Sequence, residues 1–252
     1  MRDIYYRTKK LGDLTVRGAS RASIQTFWNV PEYELGLDAG AHPSDFTIKT
    51  HRLFITHTHR DHITGLYQYI ARRKKTNLAP PEIYVPEYSL EAVRKFLGAF
   101  QELDEACYPY KVHGINAGDL IEWETNDGRT LCVEALETFH RIPSLGYAVY
   151  ENSIPRLAYT GDTLPEALDL NPVFYEAEIL IMEMTASGTG YTPDLIHQYE
   201  HTHLQDVLER QNRFKNRWIV VGHFTCKQAF PELCRNVAAH FPDRLGGRLI
   251  VW

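Results

Sequence analysis

The segment ITHTHRDHITG, residues 55–65, constrains this chain more than any other stretch. An apolar strand-like run, Arg52 to Thr56, breaks into four potential metal ligands within six residues: His57, His59, Asp61 and His62. In extended chain, residues two apart point the same way. His57 and His59 can therefore share one ion while Asp61 and His62 turn toward a second. A helix-like segment, ITGLYQYIARR, follows directly, and loops between a buried strand and a helix are where function concentrates.

Two ions need more ligands than one loop supplies, and the ends of later strand-like runs offer others. His140 ends TLCVEALETFH, Asp162 closes RLAYTGD after its turn-forming glycine, and His223 lies at the end of the run WIVVGHF, just before Phe224. The expected division places His57, His59 and His140 on one ion and Asp61, His62 and His223 on the other, with Asp162 bridging. A water held by two ions roughly 3.5 to 4 Å apart loses a proton near neutral pH and becomes a nucleophile, so the expected reaction is hydrolysis. Nitrogen and oxygen ligands favour two Zn2+ ions, with manganese or iron as alternatives. The four cysteines, Cys107, Cys132, Cys226 and Cys234, have no metal-ligand spacing and read as reduced thiols.

For most remaining histidines (His42, His51, His113, His197, His203, His240) a hydrogen-bonded structural role is expected. His201 is the exception. It lies in QYEHTHLQDVLE, ahead of a helix expected from about His203 to Gln211, and Glu183 ends the buried-type run EILIME. Were the two to meet, the carboxylate would orient the imidazole and hold it protonated as a general acid.

Strand-like runs recur at 23–28, 33–40, 52–56, EIYVP, TLCVEAL, LGYAVYE and RLAYTGD, which makes the first half strand-rich. EILIME, WIVVGHF and RLIVW follow later, interleaved with helix-like SLEAVRKFLGAF, with Ser89 as N-cap, and PELCRNVAAH. This pattern predicts an α/β fold with two packed sheets and helices outside, a four-layer αββα sandwich. The chain of 252 residues has no linker-like tract, so one domain, 1–252, is expected. No apolar stretch is long enough to span a bilayer, and the N-terminal segment lacks the apolar run of a secretory signal; a cytoplasmic protein with no membrane partner is expected. The net charge of −5 argues against a uniformly basic nucleic-acid surface. The basic run Arg72 to Lys75 is expected to be the last turn of a helix, where cations complement the dipole.

The segment THTHRDH resembles the metal-binding signature of the metallo-β-lactamase superfamily. Within it the resemblance is to ribonuclease Z, which removes 3′ trailers from precursor tRNA. PPEIYVP, FHRIPSLGYAVYE, YTGDT, LIMEMT, EHTHLQDV and GHFT carry it in the family's order, from about Leu35 to Thr225. The resemblance implies ligation by the same seven residues and a Glu183–His201 pair assisting departure of the 3′ oxygen, with Asp61 also counted as catalytic. It implies the αββα fold, RNA (precursor tRNA) as partner, and a homodimer.

Three stretches depart from the family pattern. The arm that clamps tRNA is commonly inserted between the third and fourth metal motifs, where this chain has the short segment LGYAVYENSIPRLAY. HFTCKQ places Thr225, Lys227 and Gln228 where a serine and an Arg-Tyr pair are usual. RGASRASIQTFW replaces a glycine-rich motif. The alternatives are an arm-less phosphodiesterase for a small nucleotide or other small ester, and a lactonase or β-lactamase. The Glu183–His201 pair favours phosphodiesters, and a full ligand set disfavours a non-catalytic binding module.

Overall fold

The computed structural model describes residues 6–125, 127–188 and 190–252. The first five residues of the N-terminal segment read above lie outside it. The chain divides into two compact units: residues 1–19 with 24–116, and residues 20–23 with 117–252.

The first unit holds a seven-stranded sheet whose strands follow chain order: β1 (Arg7–Leu11), β2 (Leu14–Arg21), β3 (Gln25–Val30), β4 (Leu35–Leu37), β5 (Arg52–Phe54), β6 (Glu82–Pro86) and β7 (Lys111–Ile115). The pairs β1–β2 and β3–β4 are antiparallel, whereas β4 to β7 run parallel. Parallel pairing requires crossovers, which are α1 (Ser44–Ile48), α2 (Arg60–Ile63) with α3 (Leu66–Lys75), and α4 (Leu90–Leu103). Their apolar positions meet one sheet face: Phe46, Ile63, Leu66, Ile70, Val93 and Leu97 pack with Leu53, Ile55, Ile83 and Val85. Alternate residues Leu35, Leu37 and Phe54 point to the opposite face and are also buried, which explains why these strands read as continuous apolar runs.

The second unit repeats the plan. Its sheet runs from β8 (Leu120–Glu124) through β9 (Thr130–Glu137), β10 (Leu145–Glu151), β11 (Ile154–Tyr159), β12 (Ile179–Glu183) and β13 (Trp218–Gly222) to β14 (Leu249–Val251). Strands β8 to β11 form an antiparallel meander, and β11 to β14 are parallel. The crossovers are α5 (Glu166–Leu170) with α6 (Val173–Glu176), α7 (Pro193–His197) with α8 (Leu204–Arg210), and α9 (Phe230–His240). Leu180, Met182, Ile219 and Val221 pack beneath Leu168, Phe174, Val207, Leu233 and Val237.

Several sequence expectations need adjustment. The run 33–40 is a strand only over Leu35–Leu37, because Pro31 opens a 3-10 turn that ends at Tyr33. Ser89 caps α4 by position, yet its side chain makes no capping bond, since a turn over Glu87–Ser89 already leads into the helix. α8 starts at Leu204 because His203 is its N-cap: the imidazole accepts from Gln205 N and the Asp206 carboxylate accepts from His203 N. Strands β1, β2, β7 and β8 have no counterpart among the strand-like runs of the sequence, because runs such as RTKKL and LIEWE carry too much charge to signal burial. Arg72 to Lys75 do form the last turn of α3. Between His140 and Asp162 lies a tight hairpin: β10 ends at Glu151, β11 begins at Ile154, and Asn152 and Ser153 take φ of +50° and +65°. Two consecutive positive φ values mark the turn whose twist suits a two-residue hairpin.

Among the described residues, no helix is long and apolar enough to cross a membrane. All four cysteines are free.

Candidate metal centre

In each unit the chemistry-bearing residues follow the carboxyl ends of strands, where open α/β sheets place ligands. In the first unit β4 leads into Asp38 and β5 into Thr56 and His57. The loop bearing His57, His59, Asp61 and His62 is laced to the segment after β4: Ala39 N donates to His62 O at 2.7 Å and Gly65 N to Ala39 O at 2.7 Å. Glycine is needed for this approach. A Cβ at Gly40 would stand 2.1 Å from Asp61 O, and one at Gly65 would stand 2.1 Å from Gly40 O.

Asp38 organises the ligands although the sequence reading did not select it. Its fully buried carboxylate accepts from Thr56 N at 2.8 Å and from His62 Nδ1 at 2.8 Å. The Thr56 hydroxyl lies 3.0 Å from both Asp38 oxygens and 2.9 Å from His57 Nδ1. The consistent assignment has His57 Nδ1–H donating to Thr56 and Thr56 donating to Asp38. Nδ1 is thereby committed in both histidines, which makes Nε2 the ligating nitrogen. His59 Nδ1 lies 3.1 Å from His57 Nε2, and Asp61 Oδ2 lies 3.7 Å from His62 Nε2. The only signal for Asp38 in the sequence was its place at the end of the run YELGLDAG, and an aspartate there also fits a plain turn.

The second unit arranges a carboxylate, a threonine and two histidines in the same way. Glu183, at the end of β12, is buried and lies 3.0 and 3.1 Å from His201 Nδ1. The Thr185 hydroxyl donates to Glu183 Oε2 at 2.6 Å and stands 3.3 Å from His223 Nδ1. Thr163 N donates to Glu183 Oε1 at 2.5 Å, fixing the carboxylate from a further direction. His223 follows β13 at φ +60°, and its Nε2 lies 3.1 Å from Asp162 Oδ2. His140 Nδ1 donates to Glu200 O at 3.0 Å, so His140 too presents Nε2. Burial lowers the pKa of His140 below the usual histidine value, which keeps its ring neutral as a ligand must be.

Ligand atoms of Asp162, His201 and His223 lie within 4.8 Å of one another, as do those of His140 and Asp162. Imidazole nitrogens oriented by carboxylate, hydroxyl and carbonyl partners, with buried carboxylates beside them, are the donor set that zinc, manganese or iron takes. The residues present in each unit therefore fit a metal. A surface concavity of about 560 Å³ on β8–β10, lined by Glu122, Cys132, Glu134 and Tyr150, contains none of these histidines. Its carboxylates would repel a phosphate.

Comparison with known proteins agrees with this architecture. The metallo-β-lactamase fold protein YhfI of Bacillus subtilis superposes with a TM-score of 0.66 at 14% identity, over 89% of this chain and 91% of that one. The tRNase Z TRZ1 of Arabidopsis thaliana is 28% identical over 266 residues, 93% of each chain. The nuclear ribonuclease Z of Triticum aestivum is 35% identical over 135 residues, 54% of this chain and 74% of that one. Fold and relatives define a hydrolytic enzyme of the metallo-β-lactamase fold, similar to ribonuclease Z. The chain belongs to the family of the anti-Pycsar protein Apyc1, whose family model matches residues 38–235. That match starts at Asp38 and extends through His223.

Proposed function

We propose that this chain is a dinuclear metal-dependent phosphodiesterase with the chemistry of ribonuclease Z, and that it frees the 3′ oxygen of a nucleotide. In this reading His57, His59, His140, Asp61, His62, His223 and Asp162 would hold the two ions. The preference for Nε2 in His57, His62, His140 and His223 supports it. When bound, two zinc ions would supply Lewis acidity toward water and positive charge at the phosphate.

The observation that carries a phosphodiester rather than a lactam or lactone is the Glu183–His201 pair at 3.0 Å. With Nδ1 held by the carboxylate, His201 would offer Nε2–H as a proton donor. An alkoxide leaving group needs such a proton, and positioned proton transfer contributes typically 10²–10⁴-fold. Asp61 serves as ligand and as the carboxylate that takes up the proton of the attacking water.

The curated relatives support precursor tRNA as substrate, processed at its 3′ end. The β10–β11 hairpin favours a second reading, a small nucleotide ester, because two turn residues stand where the clamping arm would add phosphate contacts. We infer a cytoplasmic protein and, from the resemblance alone, a homodimer. Incubating zinc-loaded protein with precursor tRNA and with bis(p-nitrophenyl) phosphate separates the readings. Trailer removal supports the first, cleavage of the small ester alone supports the second, and cleavage of neither overturns both.

A further inference from the structure

Two loops of the second unit are tied together beside the candidate proton donor. One follows β9 and carries His140 and Arg141; the other follows α7 and carries Tyr199, Glu200 and His201. The tie is the 3.0 Å bond from His140 Nδ1 to Glu200 O, and the His140 and His201 rings are 5.0 Å apart. Glu200 adopts φ +58°, so the chain reverses between Tyr199 and His201. Tyr199 N donates to Ile196 O at 3.0 Å and Glu200 N to His197 O at 2.9 Å. The backbone around Tyr199 is thus fixed, yet the residue is 51% exposed. The exposed Arg141 holds its guanidinium carbon 6.0 Å from the centre of that ring. Among the described residues neither side chain has a hydrogen bond or an ion pair.

A single exposed tyrosine is ordinary. This one is rigidly based, accompanied by a cation without a carboxylate, and two residues from the candidate acid. Aromatic faces bind nucleobases by stacking without regard to sequence, and a guanidinium pairs with phosphate oxygens. Both groups are exposed at the surface, where a ligand can reach them.

We propose that Tyr199 and Arg141 form a nucleotide-binding platform: the tyrosine ring stacks on the base next to the scissile phosphate, and the arginine draws the phosphate. This rests on the phosphodiesterase reading and deepens it, making the substrate a nucleotide rather than a generic phosphodiester. Both residues are specificity determinants that touch substrate, not ligands of the metal centre.

The test uses the zinc-loaded protein and calorimetric binding of thymidine 5′-monophosphate against deoxyribose 5-phosphate. Wild type binds the nucleotide more tightly. Tyr199→Ala weakens the nucleotide about tenfold, leaves the sugar phosphate within about twofold, and Tyr199→Phe restores binding. Arg141→Gln weakens both ligands and Arg141→Lys recovers them in part. In kinetics, Tyr199→Ala raises KM for the p-nitrophenyl ester of thymidine 5′-monophosphate and leaves methyl p-nitrophenyl phosphate unchanged. Equal binding of the two ligands by wild type, or unchanged nucleotide binding by Tyr199→Ala, overturns the platform. If no ester is cleaved while binding still depends on Tyr199, the phosphodiesterase reading falls and the platform stands.

Discussion

Asp38 holds His62 through a 2.8 Å hydrogen bond from a strand end that the metal motif itself does not contain. The same carboxylate reaches His57 through Thr56, so one buried group sets two rings. Asp38→Asn keeps the shape and removes the charge, and one amide nitrogen would face a donor. Loss of such a supporting partner costs typically 10- to 100-fold in metal affinity. Competition with a chelator should show zinc bound that much more weakly at the His62 position and, through Thr56, also more weakly at the His57 position; unchanged affinity would mean Asp38 only shapes the turn.

His201→Ala distinguishes an acid from a ligand. As proton donor, His201 matters for alkoxide leaving groups and little for p-nitrophenolate. We expect kcat to fall by roughly 10²-fold or more on a nucleotide ester and by less than about tenfold on bis(p-nitrophenyl) phosphate, with both metals retained. His201 also lies within 4.8 Å of the ligand atoms of Asp162 and His223. Loss of a metal equivalent in elemental analysis of the variant would therefore reassign it to the ligand set.

Thr185 links the two roles, since one hydroxyl donates to Glu183 and faces His223 Nδ1. Thr185→Val preserves its volume and deletes the link. The expected result is a lower kcat on poor leaving groups with KM nearly unchanged, together with weaker binding of one metal. Thr185→Ser should restore both. A valine variant with wild-type leaving-group dependence would show that Glu183 needs no help beyond Thr163 N.

His42 gives a pH signature unrelated to catalysis. It is fully buried against Phe46, with ring centroids 4.5 Å apart, and burial lowers its pKa from 6.5 to about 4. The folded state thus keeps His42 neutral where the unfolded chain protonates it. Its stability contribution is complete above pH 6.5 and is lost as pH falls from there toward 4, by up to about 3 kcal/mol. Urea unfolding at pH 7.5 and 5 should show a larger loss for wild type than for His42→Gln. Equal losses would mean that water reaches the ring.

Gly40→Ala asks whether the ligand loop tolerates slack. Its Cβ would meet Asp61 O at 2.1 Å and Thr26 N at 2.6 Å, both backbone atoms that cannot swing away. Crowding of this kind costs typically 1–3 kcal/mol, or several degrees in Tm for a chain of this size. Thermal unfolding checks this, and an unchanged Tm would show that the loop shifts freely.

The seven ligand candidates and Glu183 were legible because each lies at or just after the end of an apolar strand, and strand ends can be read from the sequence; His201 follows α7 and stood out only by its place ahead of the helix that starts at Leu204. The α/β class was legible for the same reason: ILIME and WIVVG are buried throughout. Asp38, Thr56 and Thr185 were not, because a residue that orients a ligand has no spacing of its own; its partner lies 24 residues away for Asp38 and 38 for Thr185. Strand β1 escaped because three of its five residues are exposed and it carries little hydrophobic signal. Tyr199 and Arg141 escaped because their relation depends on the Glu200 turn and the His140 bond, neither visible before folding.

The turn at Asn152 and Ser153 has a practical consequence. Both residues project from a closed antiparallel pair, so chain length there can change without moving the parallel strands that lead to Asp162, Glu183 and His223. Loop length costs stability only logarithmically. A tRNA-gripping insert from a longer relative, spliced between these two residues, should leave turnover of small esters intact while extending reach toward large RNA. Substrate size would then behave as a replaceable module on an unaltered catalytic body.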